Sequence, residues 1–466
     1  MKKINEKLKR ASLTVLAAVA VTLSAVAQNA VQGYVHDQSD ADGYEWPTDK
    51  AVLDKLDKWQ DLKFGVLMHW GLYSVPGIVE SWSICSEDVD WIRRTPGMAY
   101  DDYKKWYWGL KDSLNPIHFN PEKWADIMQD AGMKYMIFTT KHHDGFCMFD
   151  TKETDFSIAH GPFRNDPRRD IARHVFDAFR QKNFYIGCYF SKPDWHCPYF
   201  WSPEFATPNR RINYKPERHP GWFEKYVSFT QRQLNELTSN YGRLDLLWLD
   251  GGWISGEQIG LDSILVEARK RNPGMLSVDR MIKGHNENYQ TPERGVPQTK
   301  LDIPWESCIT LSNDWGWTPN APYKSSRWVI NTLAEITAKG GCFVLGIGPT
   351  AQGTFEDEVV KRLHEVGQWL KRYGRAIYST RPVDVYHDGN VWFTGSKDKK
   401  TVYAIYALPE KGQLPAAVSW KGNLPRRSVR LLSTGKRLKY TVSDGDRVCV
   451  TLPEGMTTES FALEIR

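Results

Sequence analysis

The sequence predicts an α/β protein in which a (β/α)8-type, TIM-like barrel precedes a C-terminal antiparallel β-sandwich. From about residue 55, short apolar runs alternate with amphipathic helical patterns, as in parallel strands joined by helices. About seven such runs, each followed by a connection, fit a barrel better than an open sheet. Beyond about residue 381, short alternating strands are separated by turn residues such as Asp388-Gly389, which indicates antiparallel sheets.

The N-terminus has the three parts of a secretory signal. A basic start is followed by an apolar region at 11–27 and by the small residues Ala25-Val-Ala27 before Gln28. We therefore expect residues 1–27 to form a signal peptide cleaved after Ala27, and the protein to be exported to the periplasm or out of the cell. The apolar run is short for a membrane span, and no cysteine follows the cleavage position for lipid attachment. No membrane anchor is therefore expected after cleavage.

Charge and cysteine content narrow the class of protein further. The signal segment carries five basic residues and Glu6, a net +4, so the rest of the chain is left with +5 − 4 = +1. The overall balance therefore gives no support for a nucleic-acid partner.

The 7 cysteines lack CxxC and zinc-ribbon spacing, so we expect no disulfide framework, and only a Cys188–Cys197 pair stays open. The 20 Trp and 21 Tyr suit either a large core or platforms for sugar rings.

The elements follow a polar leader at 28–54. The barrel is expected over 55–380, with strands at 64–69, 134–141, 184–189, 244–250, 275–280, 305–311 and 342–348. Helical patterns lie between them at 121–131, 169–182, 224–239, 258–271 and 327–338, and a helix at 356–373 closes the barrel. An eighth strand is hidden or degenerate. The sandwich is expected over 381–466, with strands at 390–394, 401–406, 428–432 and 447–452. No dinucleotide-binding or P-loop glycine motif follows a strand, which argues against nucleotide binding.

Five successive predicted strands end in polar or ionisable residues. A buried apolar strand delivers Asp250 to its end, where two glycines let the chain turn. An acid at this place could also cap the next helix. The other four strand ends carry His69, His142 with His143, Tyr189 and Arg280. Because the carboxyl ends of barrel strands converge on one face, these residues together favour a shared polar pocket.

Two kinds of chemistry suit such a pocket. Histidines with an aspartate suggest a metal site, and a metal-dependent barrel hydrolase would use His69, His142 and Asp144. Against it, His142 and His143 would point to opposite faces of an extended strand unless the turn has begun, and HxH and HExxH spacings are absent. No nucleophile-elbow motif indicates a serine hydrolase. Carboxylate chemistry remains, because glycosidic bond cleavage needs one carboxylate as nucleophile or base and another as proton donor.

Several motifs carry a resemblance to a known family. They are Phe64-Gly-Val-Leu-Met-His-Trp-Gly71, Thr139-Thr-Lys-His-His-Asp-Gly-Phe146, Leu246-Leu-Trp-Leu-Asp-Gly251, Trp305-Glu-Ser-Cys308 with Asn313-Asp-Trp-Gly316, and Gly346-Ile-Gly-Pro-Thr350. From about residue 45 to 380 the chain resembles the retaining α-L-fucosidases of glycoside hydrolase family twenty-nine. The resemblance implies a barrel followed by a β-sandwich. It also implies an exo-acting enzyme that releases terminal α-linked L-fucose from a fucosylated glycan or glycoconjugate by double displacement, with no cofactor and no metal.

The resemblance also implies roles for single residues. Asp250 matches the nucleophile, and Trp315 falls where the family places an aromatic residue against the sugar. The positions that bind fucose are matched by His69, His142, His143, Tyr189 and Arg280. Glu80 and Trp82 are an imperfect match to a sugar-binding Glu-Trp pair. The family holds its acid/base in no fixed motif, so the first candidate is Glu293, on the loop after the fifth strand, with Glu306 as the alternative and Glu287 as the third.

Two departures from the family pattern concern specificity. Gly346 stands where a polar residue is usual, and residues 78–115 form an insertion rich in Trp and Asp. Three rival functions stay open, namely an α-L-galactosidase of the same family, a metal-dependent barrel hydrolase, and a non-catalytic glycan-binding protein. The oligomeric state is open as well, and a homo-oligomer is compatible with the sequence.

Overall fold

The computed structural model describes residues 41–89, 91–94 and 97–466. The expected signal peptide therefore lies outside the described residues, as does most of the expected leader. No helix in the described ranges combines the length and the apolar composition that a membrane crossing requires.

A curled sheet of seven parallel strands forms the first part of the fold. The strands are β1 (Phe64–Met68), β2 (Tyr135–Lys141), β3 (Tyr185–Ser191), β4 (Leu246–Asp250), β5 (Leu276–Asp279), β6 (Glu306–Thr310) and β7 (Cys342–Gly346), paired in the order β5-β4-β3-β2-β1-β7-β6. Each strand coincides with a predicted strand to within two residues at either end. Nearly all of their residues are buried, as expected of parallel strands that are covered on both faces. The prediction of a mainly parallel α/β fold is confirmed.

The described ranges contain eight α-helices. They are α1 (Lys50–Leu62), α2 (Tyr100–Gly109), α3 (Pro121–Asp130), α4 (Ile171–Gln181), α5 (Trp222–Asn240), α6 (Leu261–Arg271), α7 (Ser326–Ala338) and α8 (Asp357–Tyr373). The six helices from α3 onward are the predicted ones. The apolar pattern misses α1 and α2, although Asp49 marks the start of α1 by accepting a hydrogen bond from the backbone N–H of Ala51 at 2.7 Å.

The parallel sheet has two edges, β5 and β6, which are not paired with each other. The segment between them contacts both edges. Asn288 donates its backbone N–H to the carbonyl of Ser277 in β5 at 2.9 Å, and Glu306 in β6 donates to the carbonyl of Gln290 at 2.8 Å. An irregular segment, rather than a regular eighth strand, therefore spans the gap.

Antiparallel strands follow α8. A sheet of six strands contains β8 (Thr380–Asp388), β9 (Val391–Ser396), β10 (Val402–Tyr406), β12 (Val429–Leu431), β13 (Arg437–Leu438) and β16 (Phe461–Ile465), and a sheet of three contains β11 (Ala417–Lys421), β14 (Tyr440–Ser443) and β15 (Arg447–Thr451). Trp369 of α8 donates its indole N–H to the carbonyl of Ser460 at 2.6 Å. Arg381 of β8 binds Asp61 of α1 at 2.7 Å. The antiparallel sheets are thus attached to the helical layer, and the prediction of antiparallel sheets after the parallel part is confirmed.

Gly367 allows α8 to pack closely against the end of α3. An added Cβ at this position would lie 1.8 Å from the backbone oxygen of Asp130, so the two helices would have to separate. We expect Gly367→Ala to lower the free energy of unfolding by about 3 kcal/mol, even though alanine is the better helix former by about 1 kcal/mol. Urea denaturation measures the change. The control is Gly109→Ala at the end of α2, where an added Cβ meets nothing within 4 Å, and equal stability of the two variants would contradict the prediction.

Candidate active site

A cavity of about 950 Å³ opens at the carboxyl ends of the parallel strands. The carboxyl ends of neighbouring parallel strands meet on one face, so residues far apart in sequence meet there. The ten residues that the sequence favours for catalysis or sugar binding all line this cavity: His69, Glu80, Trp82, His142, His143, Tyr189, Asp250, Arg280, Glu293 and Trp315.

Asp250 is the last residue of β4, and two donors hold its carboxylate. The hydroxyl of Tyr189 donates to Oδ2 at 2.6 Å, and Nη1 of Arg280 donates to Oδ1 at 3.1 Å. Burial alone would raise the pKa of Asp250, but the charge of Arg280, the nearby His143 and the hydrogen bond from Tyr189 together hold its pKa below the ordinary value. Because 16% of the side chain is still exposed, an ionised carboxylate faces the cavity.

The chain turns sharply after Asp250. Gly251 has a φ of +85°, and an added Cβ would lie 2.2 Å from Cδ of Pro193. Only glycine fits this conformation and this space without strain. The expectation that glycines let the chain turn beside the carboxylate is confirmed at Gly251.

Arg280 links Asp250 to Glu293. It directly follows β5 and is buried, and while Nη1 binds Asp250, Nη2 donates to Oε2 of Glu293 at 2.6 Å. Burial would lower the pKa of Arg280, but the negative charge of Glu293 and its other partners raises that pKa well above the usual value. The two carboxylates are therefore separated by no more than two hydrogen bonds and the width of one guanidinium.

Three histidines line the wall beside Asp250. Because β2 ends at Lys141, the turn has begun before His142 and His143, and their ring centroids lie 4.3 Å apart. The argument that an extended strand would separate these two rings therefore does not apply. Burial lowers the pKa of His69 to about 3 and that of His143 to about 4. Both rings are neutral near neutral pH, and each has one donor and one acceptor nitrogen.

The hydroxyl groups of two serines orient the adjacent histidines. Ser81 contacts Nδ1 of His142, and Ser191 contacts Nδ1 of His143 at 2.7 Å. These contacts leave the Nε2 atoms for the cavity side, where Nε2 of His143 lies 3.8 Å from Oδ2 of Asp250.

Among the described residues, His142, His143 and Asp250 place ligand atoms within 4.8 Å of one another, close enough to hold a metal ion. The sequence predicts a different set of ligands for a metal hydrolase, His69, His142 and Asp144, and these three residues do not form a metal-binding group among the described residues. Asp144 is not among the residues that line the described cavity, and its carboxylate accepts a hydrogen bond from the hydroxyl of Tyr107 at 2.6 Å. A cation on Asp250 would also lie next to the buried guanidinium of Arg280, and this repulsion opposes metal binding.

An aromatic wall continues outward from His143. The ring centroids of Trp82 and Trp253 are 5.2 and 4.9 Å from that of His143. The guanidinium of Arg210 lies over both indoles, at 4.8 and 5.4 Å from their centroids, and Glu87 forms an ion pair with it. Sequence reasoning missed Trp253 and Arg210. Trp253 closely follows the aspartate and two glycines, and this position could have identified it, whereas Arg210 comes from a long loop without a local pattern.

Glu80 and Trp82 form part of the cavity wall, and both come from the segment that the sequence analysis singled out as an insertion. Glu80 is almost fully buried, and its Oε1 accepts a hydrogen bond from the backbone N–H of Gly316 at 2.6 Å. Burial raises the pKa of Glu80 to about 7. The imperfectly matched Glu-Ser-Trp segment is therefore brought into the site.

Gly346, at the end of β7, lies beneath Trp315. An added Cβ would be 2.7 Å from Cε3 of the indole, so the glycine makes room for the ring. The indole in turn contacts His69, with ring centroids 5.2 Å apart. The glycine at position 346 thus allows a large aromatic ring to lie close to the sheet.

The other two glutamate candidates do not line the described cavity. Glu306 is the first residue of β6, at the opposite end of that strand from the cavity, and it is fully buried. Its Oε1 accepts a hydrogen bond from the indole N–H of Trp248 at 3.2 Å, and burial raises its pKa to about 7. Glu287 is buried and accepts a hydrogen bond from the backbone N–H of Met281 at 3.3 Å. The geometry therefore favours Glu293 as the partner of Asp250.

All seven cysteines are free thiols in the structure, so Cys188 and Cys197 are not paired. Six of them are buried, and burial raises the pKa of the thiol of Cys188 to about 12 and that of Cys197 to about 12. These thiols behave as small apolar side chains.

Comparison with known proteins places this architecture in a family. The profile of the α-L-fucosidase family matches residues 31–375, which is more than half of the chain. The chain belongs to the α-L-fucosidase family of glycoside hydrolases. The plasma α-L-fucosidase of Homo sapiens is 29% identical over 426 residues, which cover 86% of this chain and 86% of that protein. The tissue α-L-fucosidase of Homo sapiens is 29% identical over 443 residues, covering 88% and 87%.

Solved α-L-fucosidase structures share the fold. The α-L-fucosidase isoenzyme 1 from Paenibacillus thiaminolyticus has a TM-score of 0.74 at 27% identity, covering 89% of this chain and 99% of that one. The Thermotoga maritima α-fucosidase in complex with fucose has a TM-score of 0.72 at 25% identity, covering 91% and 100%. This member of the α-L-fucosidase family therefore matches nearly the whole length of both structures.

The buried carboxyl of Glu306 predicts that the parent protein and a Glu306→Gln variant differ in stability by an amount that depends on pH. Its pKa is about 7 in the folded protein against an ordinary value of 4.5, so the folded state keeps a proton that the unfolded chain releases. The contribution of the protonated carboxyl to folding stability is complete below the pKa that Glu306 has in the unfolded chain. This contribution is lost as the pH rises through the pKa that Glu306 has in the folded protein. We therefore expect Glu306→Gln to gain stability relative to the parent protein as the pH rises, by up to about 3 kcal/mol. Urea denaturation of both proteins in acidic and in mildly alkaline buffer measures this, and a constant difference would contradict it.

Proposed function

We propose that the protein is an exo-acting, retaining α-L-fucosidase that releases terminal α-linked L-fucose from fucosylated glycans. The observation that carries the proposal is the pair of carboxylates, Asp250 and Glu293, bound to the two terminal nitrogens of Arg280 at the wall of one cavity. Retaining glycosidases need two carboxyl groups about 5–5.5 Å apart, and a shared guanidinium keeps the two groups near each other. Family membership and the fucose bound to the Thermotoga maritima relative support the choice of sugar.

In the first step we assign Asp250 as the nucleophile. Its carboxylate attacks the anomeric carbon of fucose while the bond from that carbon to the leaving oxygen breaks. Protonated Glu293 gives its proton to the leaving oxygen, and the aglycone departs as an alcohol. The lowered pKa of Asp250 keeps this group ionised for the attack.

In the second step Glu293 acts as the base and Asp250 is the leaving group. Glu293, now ionised, takes a proton from water, whose oxygen attacks the anomeric carbon of the fucosyl ester. Asp250 leaves as a carboxylate, and L-fucose is released with its configuration retained. Glu293 has to carry a proton at the start of the cycle, whereas its hydrogen bond from Arg280 favours the ionised form. The proposal therefore requires the substrate to displace this hydrogen bond.

The other wall residues suit a neutral sugar. The neutral rings of His69 and His143 offer donors and acceptors to hydroxyl groups, and we assign His142, Tyr189, Arg280 and Glu80 to the same hydroxyl-binding wall. The indoles of Trp315 and Trp82 offer apolar faces. We propose that aromatic rings receive the C6 methyl group of fucose. An L-galactoside would place a hydroxyl there without a partner, and this cost disfavours the α-L-galactosidase alternative.

Two alternatives of a different chemical class are open to direct experiments. The His142, His143 and Asp250 group would hold the ion of a metal-dependent hydrolase, and full activity after exhaustive chelation removes that alternative. A non-catalytic glycan-binding protein would release no fucose from a glycan that it binds.

We also propose the finer architecture expected from the sequence. The segment that contacts both β5 and β6 would close the sheet into a (β/α)8-type barrel over 55–380. The two antiparallel sheets, which contact each other through Phe393 and Trp420 with ring centroids 5.9 Å apart, would form a β-sandwich domain over 381–466. Export through a signal peptide at 1–27 rests on the sequence alone.

The assignment of Asp250 predicts that Asp250→Ala loses hydrolysis of an aryl α-L-fucoside. Without a nucleophile no fucosyl ester forms, so we expect kcat/KM to fall by at least about 10⁴-fold, with the far-ultraviolet circular dichroism spectrum unchanged. Asp262→Ala removes an exposed carboxylate of α6 and serves as the control, with activity close to the parent. Substantial activity in the Asp250 variant would reject it as the nucleophile.

Azide rescue identifies the acid/base. Removing the acid/base leaves the fucosyl ester without a group to activate water, and azide attacks the ester without needing that group. We expect Glu293→Ala to recover turnover in azide and to yield a fucosyl azide, detected by mass spectrometry. Glu306→Ala serves as the comparison, because its side chain does not reach the cavity. Rescue of the Glu306 variant alone would show that the assignment to Glu293 is wrong.

A further inference from the structure

Glu306 lies beneath the proposed catalytic residues without reaching the cavity. It is fully buried at the start of β6, and its Oε1 accepts a hydrogen bond from the indole N–H of Trp248 at 3.2 Å. Trp248 precedes Asp250 by two residues on β4, so both side chains lie on the same face of the sheet. Trp248 also lines the cavity. Glu306 therefore contacts the floor of the site from below.

Trp248 supports the two donors that hold Asp250. Cζ of Arg280 lies 4.6 Å from the centroid of the indole, and the ring of Tyr189 stacks on it with centroids 5.3 Å apart and planes at 28°. Both residues donate hydrogen bonds to Asp250, and Arg280 also binds Glu293. A rotation of the indole would therefore move both donors and, with them, the two carboxylates.

Packing alone does not explain why a carboxyl group occupies position 306. Its Oε2 has no hydrogen-bond partner in the part of the chain that the structure describes, and neither have the hydroxyls of Tyr135 and Tyr289. Those two hydroxyls lie close enough to lower the pKa of the carboxyl, yet neither completes a hydrogen bond of normal geometry with it. A buried carboxyl that is only partly satisfied costs stability, so an apolar residue of similar size would pack at lower cost.

Several titratable groups from neighbouring elements face this carboxyl. They are Tyr135 of β2, Tyr289 of the bridging segment, Arg280 after β5, Cys308 of β6 and Cys342 of β7. Only Arg280 among them carries a charge near neutral pH, and its guanidinium lies over the face of the Trp248 indole, 4.6 Å from the ring centroid. The hydrogen bond to Trp248 thus links Glu306 directly to a residue that lines the cavity.

We propose that Glu306 is a positioning residue that acts through Trp248. Its hydrogen bond sets the orientation of the indole on which Arg280 and Tyr189 rest, and so determines the relative placement of Asp250 and Glu293. The inference rests on the proposed function and gives Glu306 no proton to transfer.

A double-mutant cycle on Glu306 and Trp248 tests the proposal. Glu306→Leu removes the acceptor, and Trp248→Phe keeps an aromatic face but removes the N–H donor. A misplacement of catalytic groups by about 1 Å costs on the order of 100-fold in rate, so we expect each variant to lose up to about 100-fold in kcat on an aryl α-L-fucoside. Because both changes break the same hydrogen bond, we expect the loss of kcat in the double variant to be no greater than the loss in the less active single variant. Losses that multiply would overturn the proposal.

The conservative variant separates positioning from acid/base chemistry and from general destabilisation. Glu306→Gln keeps an oxygen that can accept from Trp248, so we expect its kcat to stay within a few-fold of the parent, with an unchanged pH profile. A large loss in Glu306→Gln that azide restores would make Glu306 the acid/base and overturn the proposal. Parent-like kcat in Glu306→Leu would overturn it as well. If Glu306→Leu does not fold, Trp248→Phe carries the test by itself, because it removes the donor of the same hydrogen bond, and parent-like kcat in Trp248→Phe would overturn the proposal.

Glu464→Leu is the matched control. Glu464 is also a buried carboxylate, but it lies in β16, in the antiparallel sheet. We expect this variant to be less stable but to keep the kcat of the parent per folded molecule, counted by titration with a mechanism-based inhibitor. An equal loss of kcat in the Glu464 variant would show that any buried-carboxylate change disturbs the site. A parent protein that leaves the aryl fucoside intact would instead refute the proposed function itself.

Discussion

The guanidinium of Arg280 is the contact on which the site depends. Two carboxylates this close together in a largely buried cavity would repel each other, and one of them would become neutral. Arg280 binds Asp250 with one nitrogen and Glu293 with another. Its positive charge offsets the repulsion, so the two acids can lie near each other while Asp250 stays ionised. The indole of Trp248 supports the guanidinium from below. The proposed chemistry therefore needs this cation as much as it needs the acids.

The strands place Arg280, and a second buried ion pair secures that placement. Lys192, just after β3, binds Asp279, the last residue of β5, and both side chains are almost fully buried. The pair thus joins the ends of β3 and β5 across β4, which carries Asp250. Removing one partner of a buried pair typically costs about 3–5 kcal/mol, so we expect the loss of Lys192 or of Asp279 to disturb the strand ends on both sides of Asp250. Burial also keeps the neighbouring histidines neutral, which leaves the negative charge on Asp250.

Sequence patterns predicted the parallel strands well, because strands covered on both faces are continuous apolar runs that end abruptly. They also predicted that polar strand ends meet, since parallel strands present their carboxyl ends on one face. The same patterns missed α2, in which Trp106 is exposed although Tyr103 and Tyr107 are buried, so that aromatic residues do not mark one buried face. They also missed Arg210, which reaches Trp82 and Trp253 only because a long loop folds back over the site.

The sequence by itself determined the class of fold and identified Asp250 as an acid at the end of a buried strand, because local periodicity and turn residues encode those features. It left three glutamates as candidates for the acid/base that works with Asp250, because separation along the chain says little about the distance between loops. Only the tertiary structure placed Glu293 on the same guanidinium as Asp250 and put Glu306 at the far end of β6, beneath Trp248. It also showed that β2 ends before His142, so that two adjacent histidines face one cavity. These outcomes depend on where a strand stops and how a loop folds, and packing between distant segments decides both.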